Sequence, residues 1–498
     1  MSGDPAGRVR AQARLAETAV WHDVTDATFA VLGLGRSGVA AANALARRGA
    51  DVIAWDDQSP ASLSAQLQRL DPRVTARCGE AYVARPGEIA VLSPGIGPTT
   101  PTFRRARASA SLVIGEIELF YRLDRAANQG LGHPIIAITG TDGKTTTASL
   151  VATLFELAGF ETVLAGNIGD PLCNYVGKMG TNAVVVAEVS AFQLITAPLF
   201  RPRVAVVTNI AADHLDYFGG DFDAYVDAKV AVAAQCGLGD VVIINGDDSR
   251  LEALAARIEA GAPGPRLWRF SARRTLAQGL TLDGSRLLWR TGAGDVALAD
   301  TADLGAAGAR PWGGVHNVDN ALAASGAALA MGLSPADVRG GLMHFAPPPH
   351  RCEPVGAIGA VRFINDSKAT NPHAAMAGIR GTTLGPDERL VWIGGGSEKD
   401  ASFDELAEVV ATRAHAVVLA GATAPLIAAA LARQPNPPAV LFAPDLHAAV
   451  PMALAAAGDT GVVLLSPACA SFDAFASYAH RGDAFRLAVQ QLAAAMAT

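Results

Sequence analysis

The segment Ile135-Ile-Ala-Ile-Thr-Gly-Thr-Asp-Gly-Lys-Thr-Thr-Thr holds the residues best suited to phosphate chemistry. The usual phosphate loop is G-x-x-x-x-G-K-[ST], with its first Gly five positions before the second. Here Ile138 stands five before Gly143, and the nearest upstream glycine is Gly140, so the loop is short. It still joins an apolar strand to a helix that starts near Thr145. A helix N-terminus offers free N–H groups and the positive end of a dipole, which suit a phosphate chain. Lys144 adds a point charge, and the Thr145 hydroxyl can ligate Mg²⁺. Glu188 closes another apolar run, Ala183-Val-Val-Val-Ala, where a carboxylate is costly unless paired and a metal is a natural partner. His214, in Asp213-His-Leu-Asp after a further strand, is a second candidate ligand. Taken singly, Glu188 also suits a surface acid and His214 a satisfied histidine. Their shared place at strand ends beside a phosphate loop favours the metal.

Lysine is scarce. Of 40 Lys plus Arg, only Lys144, Lys178, Lys229, Lys368 and Lys399 are lysines. In so Arg-biased a chain, a surviving Lys can mark a place where a guanidinium fails.

Three strand-and-helix blocks position these residues. The first runs Thr28-Phe-Ala-Val-Leu, a glycine turn, an Ala-rich helix and Asp51-Val-Ile-Ala-Trp-Asp-Asp. Gly33, Gly35 and Gly38 fit G-x-G-x-x-G, and Asp56 follows at the distance of a ribose-binding acid. A dinucleotide site, a Rossmann-like domain for another nucleotide and a plain glycine turn all remain open on these residues. Ser93-Pro-Gly-Ile-Gly-Pro follows a later strand, at the carboxyl end where such sheets bind ligands. A polar stretch, 125–132, reads as linker. The second block adds strands at Ala183, Val204 and Val241, and a β-rich insertion over 266–299. The third starts near Pro347 and alternates again. The expected fold is α/β with three domains in series: a Rossmann-like domain over 1–124, a central P-loop ATPase-like α/β domain over 125–346 and a C-terminal Rossmann-like domain over 347–498.

Composition excludes several classes. Half the chain is apolar, and the formal net charge of -7 gives no electrostatic case for nucleic acid. The longest apolar run, 416–432, is broken by Gly421, Thr423 and Pro425, so it reads as strand, turn and helix and not as a membrane span. The opening Met-Ser-Gly-Asp-Pro-Ala-Gly-Arg-Val-Arg lacks the apolar core of a signal peptide. Five cysteines, with no C-x-x-C, point to reduced thiols in a cytoplasm.

The motifs together resemble the Mur ligases of peptidoglycan synthesis. Besides the phosphate loop they include Gly33-Leu-Gly-Arg-Ser-Gly, Ser93-Pro-Gly-Ile, Gly166-Asn-Ile-Gly, Glu188-Val-Ser-Ala-Phe-Gln-Leu, Thr208-Asn-Ile-Ala-Ala-Asp-His-Leu-Asp, His316-Asn-Val-Asp-Asn, Pro349-His-Arg, Asn365-Asp-Ser-Lys-Ala-Thr-Asn and Leu465-Ser-Pro-Ala-Cys-Ala-Ser. Each is weak alone; their order, from Thr28 to Arg481, is specific. The resemblance implies an ATP-dependent ligase that joins an amino acid to a UDP-sugar carboxylate through an acyl phosphate. The implied substrates are UDP-N-acetylmuramoyl-L-alanine and D-glutamate, the cofactors ATP and two Mg²⁺ ions, and the chain a monomer. It further implies that Lys229, otherwise an ordinary helical lysine, is carbamylated, which Arg cannot be because it keeps its proton.

Site residues carry over position by position as implications of the resemblance. Lys144, Glu188, His214 and Lys229 would do the chemistry, with Thr145, Glu188, His214 and Lys229 at the metal. Gly140, Thr141, Gly143, Lys144, Thr145, Thr146, Asn317, Asn320, Arg351, Asp366 and Lys368 would hold ATP. Arg36, Ser37, Asp56, Asp57, Ser93, Gly95, Asn167 and Ser190 would hold the UDP-sugar, and Thr370, Lys399, Ser471 and Tyr478 the D-glutamate. Three positions depart from the family pattern: Ala191 for a frequent Ser, Ser397-Glu398-Lys399 for a Gly-rich Asp-x-Lys, and Tyr478 for Phe. These departures bear on amino-acid selection. The rival readings are an NAD-dependent dehydrogenase fused to an ATPase, a non-catalytic nucleotide-binding module, another amino-acid specificity within the family, and folylpolyglutamate synthase, which lacks the first block. A hinge is expected near 346–349, where prolines restrict the chain.

Overall fold

The structure is a computed structural model that describes residues 15–496, apart from 16, 26, 86, 214, 262, 308–311, 313 and 398–401. Twenty strands form three sheets among the described residues.

The first sheet is all parallel, in the order β3-β2-β1-β4-β5, with β1 Thr28–Leu32, β2 Asp51–Asp56, β3 Thr75–Cys78, β4 Ile89–Leu92 and β5 Leu112–Gly115. β1 and β4 are buried along their whole length, as expected of near-continuous apolar strands covered on both faces. Chain direction across the sheet reverses between β1 and β4. That switch opens a crevice at their carboxyl ends, where the Gly33 turn and the Ser93 turn meet.

The second sheet has nine strands in the order β14-β13-β12-β11-β10-β9-β6-β8-β7. These are β6 Ile135–Thr139, β7 Glu161–Gly166, β8 Ala183–Glu188, β9 Val204–Val207, β10 Val241–Asn245, β11 Arg266–Ser271, β12 Gly279–Asp283, β13 Arg286–Thr291 and β14 Gly294–Asp300. The β-rich segment expected over 266–299 is present. It extends the sheet, with β11 parallel to β10 and the last three strands antiparallel to one another. The stretch expected as linker is only partly irregular: the helix Glu116–Ala127 includes its first three residues.

The third sheet runs β15-β16-β20-β17-β18-β19, from β15 Glu353–Ile358, β16 Ala360–Asn365, β17 Arg389–Gly394, β18 Ala416–Leu419, β19 Ala439–Phe442 and β20 Thr460–Leu465. The apolar run 416–432 is the strand β18, a turn and the helix Ala424–Ala432. Among the described residues no helix is long and apolar enough to cross a membrane. All five cysteines are free thiols.

The chain forms two compact units, Met1–Pro311 with Val318–Phe345, and Trp312–Asn317 with Ala346–Thr498. The first holds two sheets because one apolar core runs through both, from Phe29 and Val31 through Leu119 to Val185 and Ala205. The second is built on the third sheet, with a core on each face: Trp392 and Leu464 on one, Phe363 and Val463 on the other.

Candidate active site

The short phosphate loop is shaped by its two glycines. Gly140 has φ +144° and Gly143, which caps the helix Lys144–Leu157, has φ +80°. Side chains rarely adopt these angles. Space forbids them as well: a Cβ on Gly140 would come within 1.9 Å of Thr208 Oγ1, and one on Gly143 within 2.3 Å of Asn320 Oδ1. The loop is stitched to the segment after β9. Thr141 N donates to Asn209 O at 2.9 Å, Asp142 N to Asn209 Oδ1 at 2.9 Å and Thr208 Oγ1 to Asp142 O at 2.5 Å. Thr146 is buried in the helix's first turn, and Thr145 is partly exposed beside it.

Two lysine side chains converge on this loop. Lys144 Nζ donates to the carbonyls of Gly140 at 2.9 Å and Thr141 at 2.7 Å. Lys229, on the helix Phe222–Val230, is 3% exposed and donates to Gly140 O at 2.6 Å. Its Nζ also stands 4.6 Å from the centre of the Tyr225 ring. Burial holds the Lys229 amine well below the usual lysine range, and Lys144 lowers it further against the pull of Asp213 and Asp142. A neutral amine is the form that can add CO₂.

Glu188 ends β8, opposite Ile138 of β6 and two residues upstream of Gly140 on that neighbouring strand. It is 2% exposed. Asn167 Nδ2 donates to its Oε1 at 2.7 Å, while Oε2 is buried without a partner among the described residues. A buried carboxylate oxygen left so costs several kcal/mol unless a cation meets it. The donor set of Glu188 and the Thr145 hydroxyl fits a hard, oxygen-binding Mg²⁺. His214 lies outside the described residues.

In the first sheet, Ser93 Oγ donates to Gly33 O at 2.8 Å and so joins the two turns of the crevice. Gly38 brings the helix Arg36–Arg47 onto this turn, since a Cβ there would meet Gly33 O at 1.8 Å. Asp56 accepts from Leu34 N at 2.7 Å and from Gln58 N at 3.0 Å, so its carboxylate braces the glycine turn. Asp57 and Gly95 are exposed at the same edge, and Ser37 is half-buried. Arg36 reaches the Gly169 carbonyl and the Asp170 carboxylate, just past Asn167. Ser190 caps the short helix Ala191–Leu194 in a reciprocal box with Gln193, and Ala191 is buried in its first turn.

In the second unit the loops after β16, β17 and β20 gather at one sheet edge. Asp366 is buried, accepts from Ser466 Oγ at 2.7 Å and from Cys352 N at 3.2 Å, and is pushed up to about 6 by burial. Arg351 is presented between His350 and Cys352, both at positive φ (+65° and +41°). Lys368 Nζ stands 3.8 Å from the Tyr478 ring centre, a cation–π contact, and Thr370 is close by in the chain. Ser471 is buried, and Ser397 N donates to Ala470 O at 2.9 Å. Lys399 and Glu398 lie outside the described residues. Asn317 and Asn320 lie on the helix Val315–Ala330; Asn320 Oδ1 accepts from Thr147 Oγ1 at 3.2 Å, behind the phosphate loop.

Two positioning residues escaped the sequence reading. Tyr217 donates to Pro94 O at 3.1 Å, tying the segment after β9 to the Ser93 turn. Arg481 is 3% exposed and donates to Ser367 Oγ, Ser367 O, Cys469 O and Ala470 O at 2.9–3.2 Å. It locks two of the sheet-edge loops together. Only its place, three residues after Tyr478, hinted at this.

An α/β protein of largely parallel sheets with a nucleotide-type phosphate loop is thus the class the fold and site define. Comparison with known proteins narrows it. Residues 27–115 match the Mur ligase MurD-like N-terminal domain, 138–328 the Mur ligase middle domain and 350–469 the Mur ligase glutamate ligase domain. A UDP-N-acetylmuramoylalanine–D-glutamate ligase of Pelotomaculum thermopropionicum is 38% identical over 476 residues, covering 94% of this chain and 99% of the relative. One from Streptomyces coelicolor is 39% identical over 484 residues, covering 93% and 98%. The chain belongs to the Mur ligase family. Among solved structures, a pseudomurein peptide ligase type C from Methanothermus fervidus shares the fold at TM-score 0.57 and 16% identity, covering 94% of this chain and all of that one. UDP-N-acetylmuramate–alanine ligase from Thermotoga maritima does so at 0.55 and 17%, covering 93% and 99%.

Proposed function

We propose that this protein is an ATP-dependent ligase that adds D-glutamate to UDP-N-acetylmuramoyl-L-alanine in peptidoglycan precursor synthesis, acting in the cytoplasm as a monomer. The observation that carries this reading is the end-to-end similarity, 38% over 94% of the chain, to relatives named for that reaction. The same similarity covers the second and third blocks, which a dehydrogenase reading leaves unexplained.

The reaction has two steps. A carboxylate oxygen of the alanyl group attacks the γ-phosphorus of ATP, the bond to the ADP oxygen breaks, and ADP leaves. The D-glutamate amine then attacks the acyl carbon, inorganic phosphate leaves and the amine loses a proton. Two anions must meet in the first step, so positive charge is the main need. Lys144 and the N–H groups that open its helix supply it at the phosphates. Mg²⁺ ions would be held by Thr145, Glu188 and His214, and would neutralise charge on the phosphates. A carbamate on Lys229 would add an anionic ligand beside the loop; burial and the neighbouring Lys144 lower the amine's hold on its proton, in the direction that carbamylation requires. Gly140, Thr141, Gly143, Thr146, Asn317, Asn320, Arg351, Asp366 and Lys368 are the proposed remaining ATP contacts. The crevice of Arg36, Ser37, Asp56, Asp57, Ser93 and Gly95, with Asn167 and Ser190, is the proposed UDP-sugar site. Thr370, Lys399, Ser471 and Tyr478 are the proposed D-glutamate site. Domain limits of 1–124, 125–346 and 347–498 go with this reading.

The test is phosphate release from ATP with UDP-N-acetylmuramoyl-L-alanine and a panel of amino acids. D-glutamate is expected to support turnover at least a hundredfold above L-glutamate, alanine and diamino acids. Equal turnover with L-glutamate, or a preference for another amino acid, would sink the assignment.

A further inference from the structure

A cavity of about 370 Å³ opens at the far edge of the central sheet from the phosphate loop. Four of its polar side chains immediately precede three adjacent strands: His133 before β6, Arg201 and Arg203 before β9, and Asp240 before β10. The loop lies past the other end of β6, roughly 16 Å away for five residues at about 3.3 Å each. The rest of the wall comes from Tyr121 and Arg125, near the end of the helix Glu116–Ala127, and from Leu131 and Met331.

The carboxylates of this cavity sit behind and are engaged. Asp240, 3% exposed, accepts from Arg201 Nε at 2.7 Å, Arg203 Nη1 at 3.3 Å and Gly237 N at 2.9 Å. Asp124, 1% exposed, is taken up by the backbone N and the ring of His133, both at 2.7 Å. The guanidiniums sit in front. Arg201 and Arg203 keep 45% and 51% of their side-chain surface, and among the described residues each gives one nitrogen to Asp240 and none to another acceptor. Arg125 gives Nη1 to Leu131 O at 3.2 Å, while its Nε is buried without a partner among the described residues. Arg201 and Arg203 therefore keep exposed nitrogens without an acceptor among the described residues beside two spent carboxylates, and the Arg125 guanidinium, 5.4 Å from the centre of the Tyr121 ring, adds a third positive charge to the wall. Guanidinium N–H groups match the oxygens of carboxylate and phosphate. Leu131, 79% exposed, offers an apolar edge beside them.

We propose that this cavity is a second ligand site, for a small polyvalent oxyanion, remote from the reacting groups. Its size suits a metabolite and not a macromolecule. The test is calorimetric titration of the full chain with two probes, inorganic pyrophosphate and tricarballylate, which separate a phosphate source from a carboxylate one. At least one is expected to bind one-to-one below about 1 mM in a component that survives Lys144→Ala. Arg201→Gln and Arg125→Gln should each weaken that component about tenfold. Arg201→Gln leaves Asp240 its bonds to Arg203 and Gly237, so the fold should hold, as a melting curve will check. Leu131→Glu, at an exposed rim position, puts a negative charge at the mouth without touching the core and should weaken binding as well. Absence of binding by both probes, or binding that Lys144→Ala removes and the arginine and Leu131 variants leave intact, would overturn the proposal.

Discussion

At the residue scale, Lys144 and Lys229 both donate to the Gly140 carbonyl, and the proposed chemistry rests on them. Lys144→Ala should lower phosphate release by roughly 10²–10³, about 3–4 kcal/mol of lost transition-state stabilisation, with a near-normal melting temperature. Near-normal turnover would mean that the loop does not hold the transferred phosphate. Lys229→Ala should be almost inactive and partly restored by acetate, because an added carboxylate can take the place of a carbamate. Lys229→Arg should stay inactive, since a guanidinium keeps its proton and cannot add CO₂. Normal turnover in the Arg variant would make Lys229 a plain cation. Lys144 and Glu188 were marked by type and place, a lysine at a phosphate loop and a carboxylate closing an apolar strand, whereas Lys229, an ordinary helical lysine by its own neighbours, was marked by the family resemblance. Tyr217 and Arg481 gave no such signal. Their partners are backbone carbonyls distant in sequence, Pro94 O for one and Ser367, Cys469 and Ala470 for the other, and carbonyls have no residue type to read. Asp56 was legible as an acid closing β2, but not its grip on Leu34 N, which depends on how the turn closes.

Elements carry their own buried charges. Glu116 opens the helix Glu116–Ala127, where the dipole favours an anion, yet burial wins and pushes the carboxyl up to about 7. Its Oε1 accepts from Cys173 N at 2.6 Å, its Oε2 is buried without a partner among the described residues, and the Cys173 thiol is itself held well above its usual range. The unfolded chain gives up this proton near pH 4.5 and the folded chain near pH 7, so between these values the folded state holds more protons. Stability therefore falls as pH rises through that window, by about 3 kcal/mol from this group. Glu116→Gln should remove that slope, and melting curves from pH 4.5 to 8 on both proteins will check it; parallel pH profiles would count against it. In the second unit Arg481→Lys keeps a charge but loses the fork that joins the loops after β16 and β20. It should raise the KM for D-glutamate about tenfold and leave that for the UDP-sugar unchanged; an equal rise in both would make its effect general destabilisation. Strands such as β1, β6 and β8 were legible as unbroken apolar runs. The join of β11–β14 to the central sheet was not, because edge pairing leaves no mark on one strand's own pattern.

For the whole molecule, three α/β blocks were visible in the alternation of apolar runs and glycine turns. That the first two share one core was not, since the faces that pack together lie on separate blocks and each reads as ordinary apolar surface. This difference has a thermodynamic consequence. Elements that share a core lose each other's burial when either unfolds, so the first two sheets should melt together, whereas the unit on the third sheet has cores of its own. Calorimetry should show two transitions and not three. UDP at about a hundred times its Kd stabilises the form that binds it by about 2.7 kcal/mol, a shift of a few degrees. Because the proposed UDP site lies in the first unit, that shift should appear in one transition only. Glu116→Gln should move the same transition, and Arg481→Lys the other. Three separate transitions, or a UDP shift confined to a transition that Glu116→Gln does not touch, would show that the first two sheets do not unfold as one body.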